Sequence, residues 1–333
     1  MKFIFGAKPK APITNFTRLV QLGERLGFHS AWIPDQTFFP DPFVTLAVVA
    51  SHTERIELVI GVANPYTRHP VQVARAAATL DDHTPGRVAL GYGAGNRREL
   101  IVPLGGEQEQ AAAHCREALI LCRRLLDGEF LQHRGPHFIT DGVELEMAPH
   151  PAVPLYLAAR GPLILQLAGE RADCAVIGAL LDEEALAWSL EQVANGARKS
   201  GRRLEDLGRM IWITCHITED APRWLDHCRP SAAHILAGAP AGVFAALRLS
   251  DRFRDELKAA YAEGGSEGAA PLVSDDLVRR LMAIGRPEEI AAQLERAIAQ
   301  GIDEIGILVN APDIRDSEEA IQRFADEVMP RLR

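Results

Sequence analysis

The sequence predicts an α/β protein whose eight parallel strands close into a (β/α)8 barrel, or TIM barrel. Two observations predict this fold: eight short runs of apolar, often β-branched residues, and a helical pattern between most consecutive runs. Strands joined through helices run parallel, and eight such units are arranged most economically as a closed barrel. An open, doubly wound sheet is the alternative that the same pattern allows.

The first four strand–helix units follow one another without long interruptions. Gly27 is predicted to end the first helix, because a glycine readily adopts the left-handed conformation that stops a helix. The predicted strands are residues 2–5, 30–33, 57–60 and 87–90, and the predicted helices begin near Asn15 and Pro42 and cover residues 71–80 and about 108–126.

The second half contains four more strands and two insertions. A small hairpin at about 128–151 precedes the fifth strand, and a long segment at 219–278, rich in Ala, Arg and Pro, follows the seventh. We expect this segment to be irregular and to serve as a substrate lid or a dimer contact. The remaining strands are predicted at 155–158, 174–177, 210–215 and 305–309, so that residues 1–333 form a single domain.

Composition excludes several classes of partner. The chain has 333 residues, 47% of them hydrophobic, and a net charge of −9. No run of Lys and Arg predicts a phosphate-tracking face, so nucleic acid and anionic membranes are not expected partners. The N-terminal apolar run is too short for a signal peptide, and no stretch of 18 apolar residues predicts a membrane span.

The five cysteines predict a reducing environment. No pair has the CxxC spacing of a metal or redox site, so we expect buried free thiols, no bound metal and a cytoplasmic protein. They are Cys115, Cys122, Cys174, Cys215 and Cys228.

The active site of such a barrel lies at the carboxyl-terminal ends of its strands. Several of these ends are rich in glycine, which lets backbone approach a large flat or phosphorylated ligand. Few titratable groups occur there, and no paired carboxylates, HExxH or GxSxG motif is present. The predicted ends are Gly6-Ala7, Asp35-Gln36, residues 61–64, residues 91–96, residues 158–162, Gly178, His216 and Asn310.

Two glycine motifs suggest phosphate binding. Gly91, Gly93 and Gly95 follow a strand, but their spacing does not fit a dinucleotide fingerprint, and no acidic residue ends a following strand at the required distance. Gly161-Pro162 is the better candidate, because the free N–H groups at a helix start bind anions. A plain helix entry with proline in the first turn remains the alternative.

A set of motifs then resembles a known family. The segment LVIGVANPYTRHP at 58–70 is the most specific of them. Together the motifs resemble the luciferase-like flavin and deazaflavin barrel family, and the NPYTRHP run resembles its coenzyme F420-dependent branch, which contains methylenetetrahydromethanopterin reductase. The other matching motifs are Asp35, Thr79-Leu80-Asp81, residues 91–95, Ala158-Ala159-Arg160-Gly161-Pro162 and Leu167-Ala168-Gly169-Glu170.

The resemblance implies a homodimeric barrel that binds F420, or alternatively FMN, at the strand ends, with a non-prolyl cis peptide between Gly61 and Val62. Asp35 and Asn64 would lie near the ring and ribityl chain, and Arg160 would hold the phosphate. Gly6-Ala7 and Asn96 stand where the reductase has acidic residues, so the resemblance does not carry over its substrate. The implied cofactor-binding residues are Asp35, Gly61, Val62, Asn64, Gly93, Ala94, Gly95, Asn96, Ala159, Arg160, Gly161 and Pro162.

Three functions follow as hypotheses. The first is an F420-dependent oxidoreductase that passes a hydride to or from a small organic substrate, the second an FMN-dependent luciferase-like monooxygenase, and the third a flavin-binding barrel without turnover. Asp35, His69 and His216 are the candidate catalytic side chains. His69 has a structural alternative, bonding to backbone in its loop, and His216 has one as a satisfied buried histidine.

Overall fold

A computed structural model describes residues 1–8, 12–309 and 314–332. The strands are β1 Lys2–Gly6, β2 Ser30–Ile33, β3 Glu57–Ala63, β4 Val88–Gly93, β5 Leu131–Arg134, β6 Ile139–Val143, β7 Leu155–Ala159, β8 Cys174–Gly178, β9 Gly208–Ile217, β10 Ala283–Gly285 and β11 Glu304–Leu308. Eight of them run parallel and pair in the order β1-β2-β3-β4-β7-β8-β9-β11, and β11 pairs with β1 to close the barrel. The barrel prediction is confirmed, and the open-sheet alternative is wrong.

The helices surround this barrel and cover its outer face. Gly27, with φ of 83°, ends the first helix as predicted, since its N–H donates to the carbonyl of Glu24. The helices are α1 Ile13–Leu26, α2 Pro42–Ala50, α3 Pro70–His83, α4 Ala111–Leu126, α5 Pro162–Arg171, α6 Glu183–Lys199, α7 Ala221–Ala237, α8 Ala241–Ala246, α9 Asp251–Ala269, α10 Asp275–Leu281, α11 Pro287–Ala299 and α12 Ile314–Arg323. Among the described residues, none of these is both long and apolar enough to cross a bilayer.

The insertion after the seventh barrel strand is not irregular, and that prediction is wrong. It folds into α7, α8, α9 and α10, and β10 then pairs with the end of β9. Ala and Arg favour helices, and Pro222 lies in the first turn of α7, where a missing N–H costs little. Pro230 lies inside the same helix.

The predicted hairpin before the fifth barrel strand is present as β5 and β6. Glu117 of α4 fixes it, because its carboxylate lies 2.6 Å from the His133 ring and accepts the N–H groups of His137 and Phe138 at 3.1 Å each. A hairpin held by three such hydrogen bonds packs against the barrel although it contributes no barrel strand.

Aromatic rings fill the barrel interior. The Trp32 ring lies 5.3 Å from the Trp212 ring and 5.2 Å from the Tyr156 ring. A Cβ added to Gly61 would lie 2.0 Å from the Trp32 ring, and one added to Gly6 would lie 2.3 Å from the Trp212 ring. A side chain at either position would overlap these rings, so the packing of the barrel interior requires the two glycines.

Glu57 lies at the opposite, amino-terminal end of the barrel. Lys2 donates to Glu304 there at 2.8 Å, whereas Glu57 Oε2 is buried without a hydrogen-bond partner among the described residues. Burial raises the pKa of Glu57 to about 7, and the neighbouring Glu304 adds to the rise while Lys2 opposes it. The carboxyl group is thus kept protonated well above its ordinary range.

Glu57 should make the protein less stable as the pH rises. Since its pKa is higher in the folded chain, the folded state holds a proton that the unfolded state releases between about pH 4.5 and 7. We expect Glu57→Gln to match the parent below pH 4.5 and to exceed it by up to about 3 kcal/mol above pH 7. Urea unfolding of parent and variant from pH 4 to 8 measures this difference in the free energy of unfolding. A difference that does not change with pH would contradict the prediction.

Candidate active site

Asp35 follows β2 at the barrel mouth, by which we mean the carboxyl-terminal ends of the barrel strands. Its carboxylate is buried and accepts a hydrogen bond of 2.5 Å from Arg68 Nε. Arg68 also bonds to Asp41, whose side chain caps the start of α2. Burial raises the pKa of Asp35 although Arg68 opposes the rise. Arg68 therefore fixes its own loop against β2 and α2.

Removing Arg68 should leave a buried, unpaired carboxylate. We expect Arg68→Ala to lower the free energy of unfolding at pH 7 by about 3 kcal/mol, with a smaller loss in Arg68→Lys. The loss should shrink as the pH falls towards the ordinary range of an aspartate, because a protonated Asp35 needs no cation. Denaturant unfolding at pH 7 and pH 4 tests this, and a loss that is the same at both pH values would refute the pairing.

The strand bulge after Ile60 is built on glycines of the neighbouring strand. The Gly61–Val62 peptide is cis, as the resemblance implied, and the register of β3 against β4 shifts between Ile60 and Ala63. A Cβ at Gly91 would lie 3.2 Å from Val62 Cγ1, and one at Gly93 would lie 2.9 Å from Val62 Cγ2. These two glycines make room for the Val62 side chain, a reason that the sequence did not reveal.

The bulge is also tied to β2. The N–H of Asp35 donates to the carbonyl of Val62 at 3.3 Å. On the other side, a Cβ at Gly93 would lie 3.5 Å from the carbonyl oxygen of Ala158, which belongs to β7. Asp35, Val62, Gly93 and Ala158 therefore lie side by side across four neighbouring strand ends.

Asn64 organises the loop that follows the bulge. Its side-chain oxygen accepts the N–H groups of Tyr66 and Thr67 at 3.0 Å each, and its amide nitrogen donates to Thr67 Oγ1 at 2.9 Å. The side chain is buried, and a Cβ on Gly95 would lie 3.0 Å from its own Cβ. The Asn64 side chain therefore packs against Gly95 in the loop after β4.

Side-chain hydrogen bonds fix the backbone of the loop after β4. Gln108 donates to the carbonyls of Ala94 and Gly95 at 2.6 and 3.1 Å. Asn96 accepts the N–H of Glu99 at 3.1 Å and so begins the short helix Arg97–Ile101. The backbone of residues 93–96 is fixed by these bonds beside the bulge.

Arg160, directly after β7, is the candidate ligand for an anion. Arg160 Nη1 donates to the carbonyl of Ile235 at 3.1 Å, and Arg160 forms no ion pair with a carboxylate in the described part of the chain. Ala159 is buried just before it, and burial lowers the pKa of Arg160. A cation in such surroundings is stabilised by an anionic ligand.

The start of α5 is also suited to an anionic ligand. Gly161 precedes Pro162, the first residue of α5, and no side chain caps this helix. Nothing lies within 4 Å of a Cβ added to Gly161. Free N–H groups at an open helix start next to an arginine favour a phosphate.

The two candidate histidines have structural contacts. His69 is exposed, its Nδ1 accepts the N–H of Val71 at 3.3 Å, and so it caps the start of α3. His216 is buried near the end of β9, with its ring stacked 3.9 Å from that of Trp224. Burial lowers the pKa of His216 to about 4, so it is neutral at physiological pH. Asn310, the last predicted strand end, lies outside the described residues.

Four further side chains at the mouth were missed by sequence reasoning. Lys8 follows β1, Arg98 follows β4, and His234 and Tyr261 come from the insertion. Arg98 donates to the carbonyl of Tyr261 at 2.9 Å, and Arg160 reaches Ile235 beside His234. The insertion therefore lies against the barrel mouth. No sequence periodicity signalled these residues, because contacts across some 160 positions leave no local pattern.

Fold and candidate site together define a TIM barrel with a bulged third strand and, after its fifth barrel strand, an arginine that has no carboxylate partner among the described residues. The chain belongs to the luciferase-like monooxygenase family, whose sequence profile matches residues 4–304. The chain is 27% identical over 337 residues to a 5,10-methylenetetrahydromethanopterin reductase of Archaeoglobus fulgidus, with 100% of both chains covered.

Two further relatives share almost the whole length. An F420-dependent glucose-6-phosphate dehydrogenase of Nocardia farcinica is 28% identical over 326 residues, covering 94% of this chain and 92% of the relative. Among solved structures, the coenzyme F420 dependent tetrahydromethanopterin reductase of Methanopyrus kandleri has a TM-score of 0.86 at 23% identity, covering 100% of this chain and 99% of that one. The likeness to this structure supports the fold.

Proposed function

We propose that this protein is an F420-dependent oxidoreductase that transfers a hydride between the deazaflavin cofactor and a small organic substrate. The observation that carries the proposal is Arg160, a half-buried cation without a carboxylate partner among the described residues, beside the open start of α5. The name of one relative, an F420-dependent glucose-6-phosphate dehydrogenase, supports the choice of cofactor.

The residues at the mouth fit such a cofactor. Arg160, Gly161 and Pro162 would hold its phosphate, and the fixed backbone of residues 93–96 would line its ribityl chain. Val62 would lie behind the ring, with Gly61 beneath it. When bound, F420 supplies or accepts the hydride. The protein's part is to position the reactants and exclude water, which needs few strong acids or bases.

Asp35 has a positioning role in this proposal. Its N–H donates to the carbonyl of Val62 and its carboxylate accepts from Arg68, so that it links β2 to the bulge and to the following loop. Asn64 performs the same task for Gly95. The hydrogen bond of His69 favours its structural alternative over catalysis. His216 stacks on Trp224, but its Nε2 is buried without a hydrogen-bond partner among the described residues, so it is not the satisfied histidine of the structural alternative.

An FMN-dependent monooxygenase is a second candidate, because the family is described as luciferase-like monooxygenases. Equilibrium titration of the purified protein with F420 and with FMN separates the two. We expect F420 to bind at least about tenfold more tightly than FMN, which corresponds to a difference of about 1.4 kcal/mol in binding free energy. Tighter binding of FMN would overturn the proposal, and F420 binding without hydride exchange with any acceptor would indicate a carrier.

A homodimer is part of the proposal. The segment PFVTLAVVA of α2 has no charged side chain, and yet Val44 and Val48 are 59% and 37% exposed. Phe38 and Phe39 are exposed just before it. A helix that is apolar all round is normally buried, which supports contact with a second copy. Sedimentation of the parent against Val44→Glu tests this, and an unchanged mass would contradict it.

We also propose that the protein works in the cytoplasm. All five cysteines are buried free thiols, and burial raises the pKa of Cys115, Cys122, Cys215 and Cys228 to about 12. Such thiols are unreactive packing groups, as expected where disulfides are not used. In the described part of the chain, no three His, Cys, Asp or Glu side chains are arranged to hold a metal.

A further inference from the structure

Three neighbouring rings join the hairpin to the 64–69 loop, which lies between the strand bulge and α3. The ring centroid of His137, in the hairpin turn, lies 3.7 Å from that of His114 on α4, and the two rings are stacked. The Tyr66 ring centroid lies 4.7 Å from that of His114. Tyr66 belongs to the 64–69 loop, and its N–H donates to Asn64 Oδ1 at 3.0 Å. A continuous set of contacts therefore runs from the hairpin through α4 to Asn64.

A second ring contact and a carboxylate hold the hairpin in the same place. The Phe138 ring meets the His69 ring at an interplanar angle of 87°, with 5.3 Å between the centroids, and His69 ends the 64–69 loop. The Glu117 carboxylate accepts the N–H groups of His137 and Phe138 at 3.1 Å each. The same carboxylate lies 2.6 Å from the His133 ring. A displacement of the hairpin would therefore remove two contacts of the 64–69 loop.

Each histidine of the stack has a buried nitrogen without a hydrogen-bond partner. Among the described residues, nothing bonds to His114 Nδ1 or to His137 Nε2. A neutral imidazole has one N–H and one acceptor nitrogen, whereas a protonated imidazole has two N–H groups and a charge. A buried N–H that lacks an acceptor is costly, and more so when the ring is charged. The surroundings of both nitrogens therefore favour the neutral rings.

Burial and the neighbouring ring both disfavour a proton on His114. Burial lowers the pKa of His114, and a positive charge on His137 lowers it further. The Glu117 charge and the carbonyl groups of Glu109 and Gln110 oppose this shift without cancelling it. Positive charges on two rings 3.7 Å apart would repel each other, so a doubly protonated stack is disfavoured as well.

The other groups near the stack do not supply a free negative charge. The Glu117 oxygens are already bonded to the hairpin. Burial raises the pKa of Tyr66 and of Cys115 to about 12, so both are neutral at physiological pH. The titratable side chains near the stack, taken from the hairpin, α4 and its start, and the 64–69 loop, are His133, Cys115, Glu117, Glu109, Tyr66 and His69.

We propose that the His114–His137 stack is a pH-sensitive contact, which holds the hairpin against the 64–69 loop and thereby supports the cofactor site. The inference rests on the proposed function, because Asn64 and the bulge before it are assigned there to the cofactor. Well above pH 6.5, the ordinary value for a histidine, both rings are neutral and the contact is complete. As the pH falls through 6.5, protonation favours conformations in which the rings separate, so the loop loses this support.

F420 titration at pH 7.5 and at pH 5.5 tests the contact. We expect the parent to lose about tenfold more affinity over this range than His114→Phe or His137→Phe, since one pKa unit corresponds to a tenfold effect. Phenylalanine keeps a ring in the stack but takes up no proton. Titration of the cofactor itself affects parent and variants alike and cancels in the comparison. His83→Phe makes the same exchange at an exposed histidine of α3, and this control should keep the pH dependence of the parent.

Two measurements on the cofactor-free protein separate this inference from the proposed function. The ¹⁵N resonances of the His114 ring should titrate below pH 6.5 in the parent. Urea unfolding should show that the parent loses more stability between pH 7.5 and pH 5.5 than either phenylalanine variant does. Failure of the parent to bind F420 at pH 7.5 would refute the proposed function, and these two measurements would still test the stack.

Three results would overturn the inference. The first is an equal pH dependence of F420 affinity in the parent and in both phenylalanine variants. The second is a His114 ring that titrates at or above pH 6.5 in the folded parent, which can be measured even where a variant does not fold. The third is a difference in unfolding without a difference in F420 affinity, which would show that the stack does not support the cofactor site.

Discussion

Gly61→Ala is expected to destabilise the protein strongly and to abolish cofactor binding. The added Cβ would lie 2.0 Å from the Trp32 ring, which cannot retreat because Trp212 and Tyr156 pack against it. Overpacking of this kind costs about 1–3 kcal/mol, and a contact this close belongs at the upper end. Thermal and urea unfolding measure the first effect, and F420 titration measures the second.

Two further variants test whether the effect of Gly61→Ala comes from contact with the Trp32 ring. Gly161→Ala adds the same methyl group where nothing lies within 4 Å, so its stability should equal that of the parent. Trp32→Leu removes the ring that the methyl group would meet, so Gly61→Ala should cost less free energy in the Trp32→Leu background than in the parent, as a double-mutant cycle measures. Equal stability of parent and Gly61→Ala would contradict this prediction, because it would show that the Trp32 ring can move away from the added methyl group.

Arg160→Gln should weaken F420 binding by about 10- to 100-fold, which is the effect of losing a charge-assisted hydrogen bond of about 1.5–3 kcal/mol. Stability should be unchanged or slightly higher, because burial already disfavours the charge, as the lowered pKa of Arg160 shows. A loss of affinity without a loss of stability distinguishes a ligand-binding cation from a structural one.

The matched control for Arg160 lies nearby on α5. Arg171 is exposed at the end of that helix and pairs with Glu170, so Arg171→Ala should leave F420 affinity unchanged. The binding measured for Arg160→Gln should also become less dependent on salt, since one phosphate contact is gone. An Arg160→Gln variant that unfolds but binds normally when folded would refute the assignment.

Much of the barrel was predictable because its strands are short apolar runs bounded by polar residues and glycines. The predicted strand 30–33 matches β2. β3 and β4 were predicted to stop at Gly61 and Gly91, whereas β3 continues to Ala63 and β4 to Gly93. Glycine weakens a strand locally, but here Trp32 and Val62 occupy the space that the missing side chains leave. This packing joins residues that are far apart in the sequence, so no local sequence pattern predicts it.

The site was predictable only where one motif contained it. Arg160, Gly161 and Pro162 are consecutive, and the NPYTRHP run supplied Asn64 and Arg68 together. His234 and Tyr261 are 27 residues apart on separate helices and were hidden in a segment predicted to be irregular. Asp35 was predicted as a catalytic carboxylate, and its pairing with Arg68, 33 residues later, became visible only in the fold.

Hydrogen–deuterium exchange with and without F420 tests most directly where the cofactor binds. We expect slower exchange at the amides of residues 61–64, 93–96, 161 and 163–165, and no change around the depression of about 340 Å³ near Lys2 and His29 at the other end of the barrel. Protection confined to that opposite end, or no protection at the mouth at a saturating F420 concentration, would contradict it.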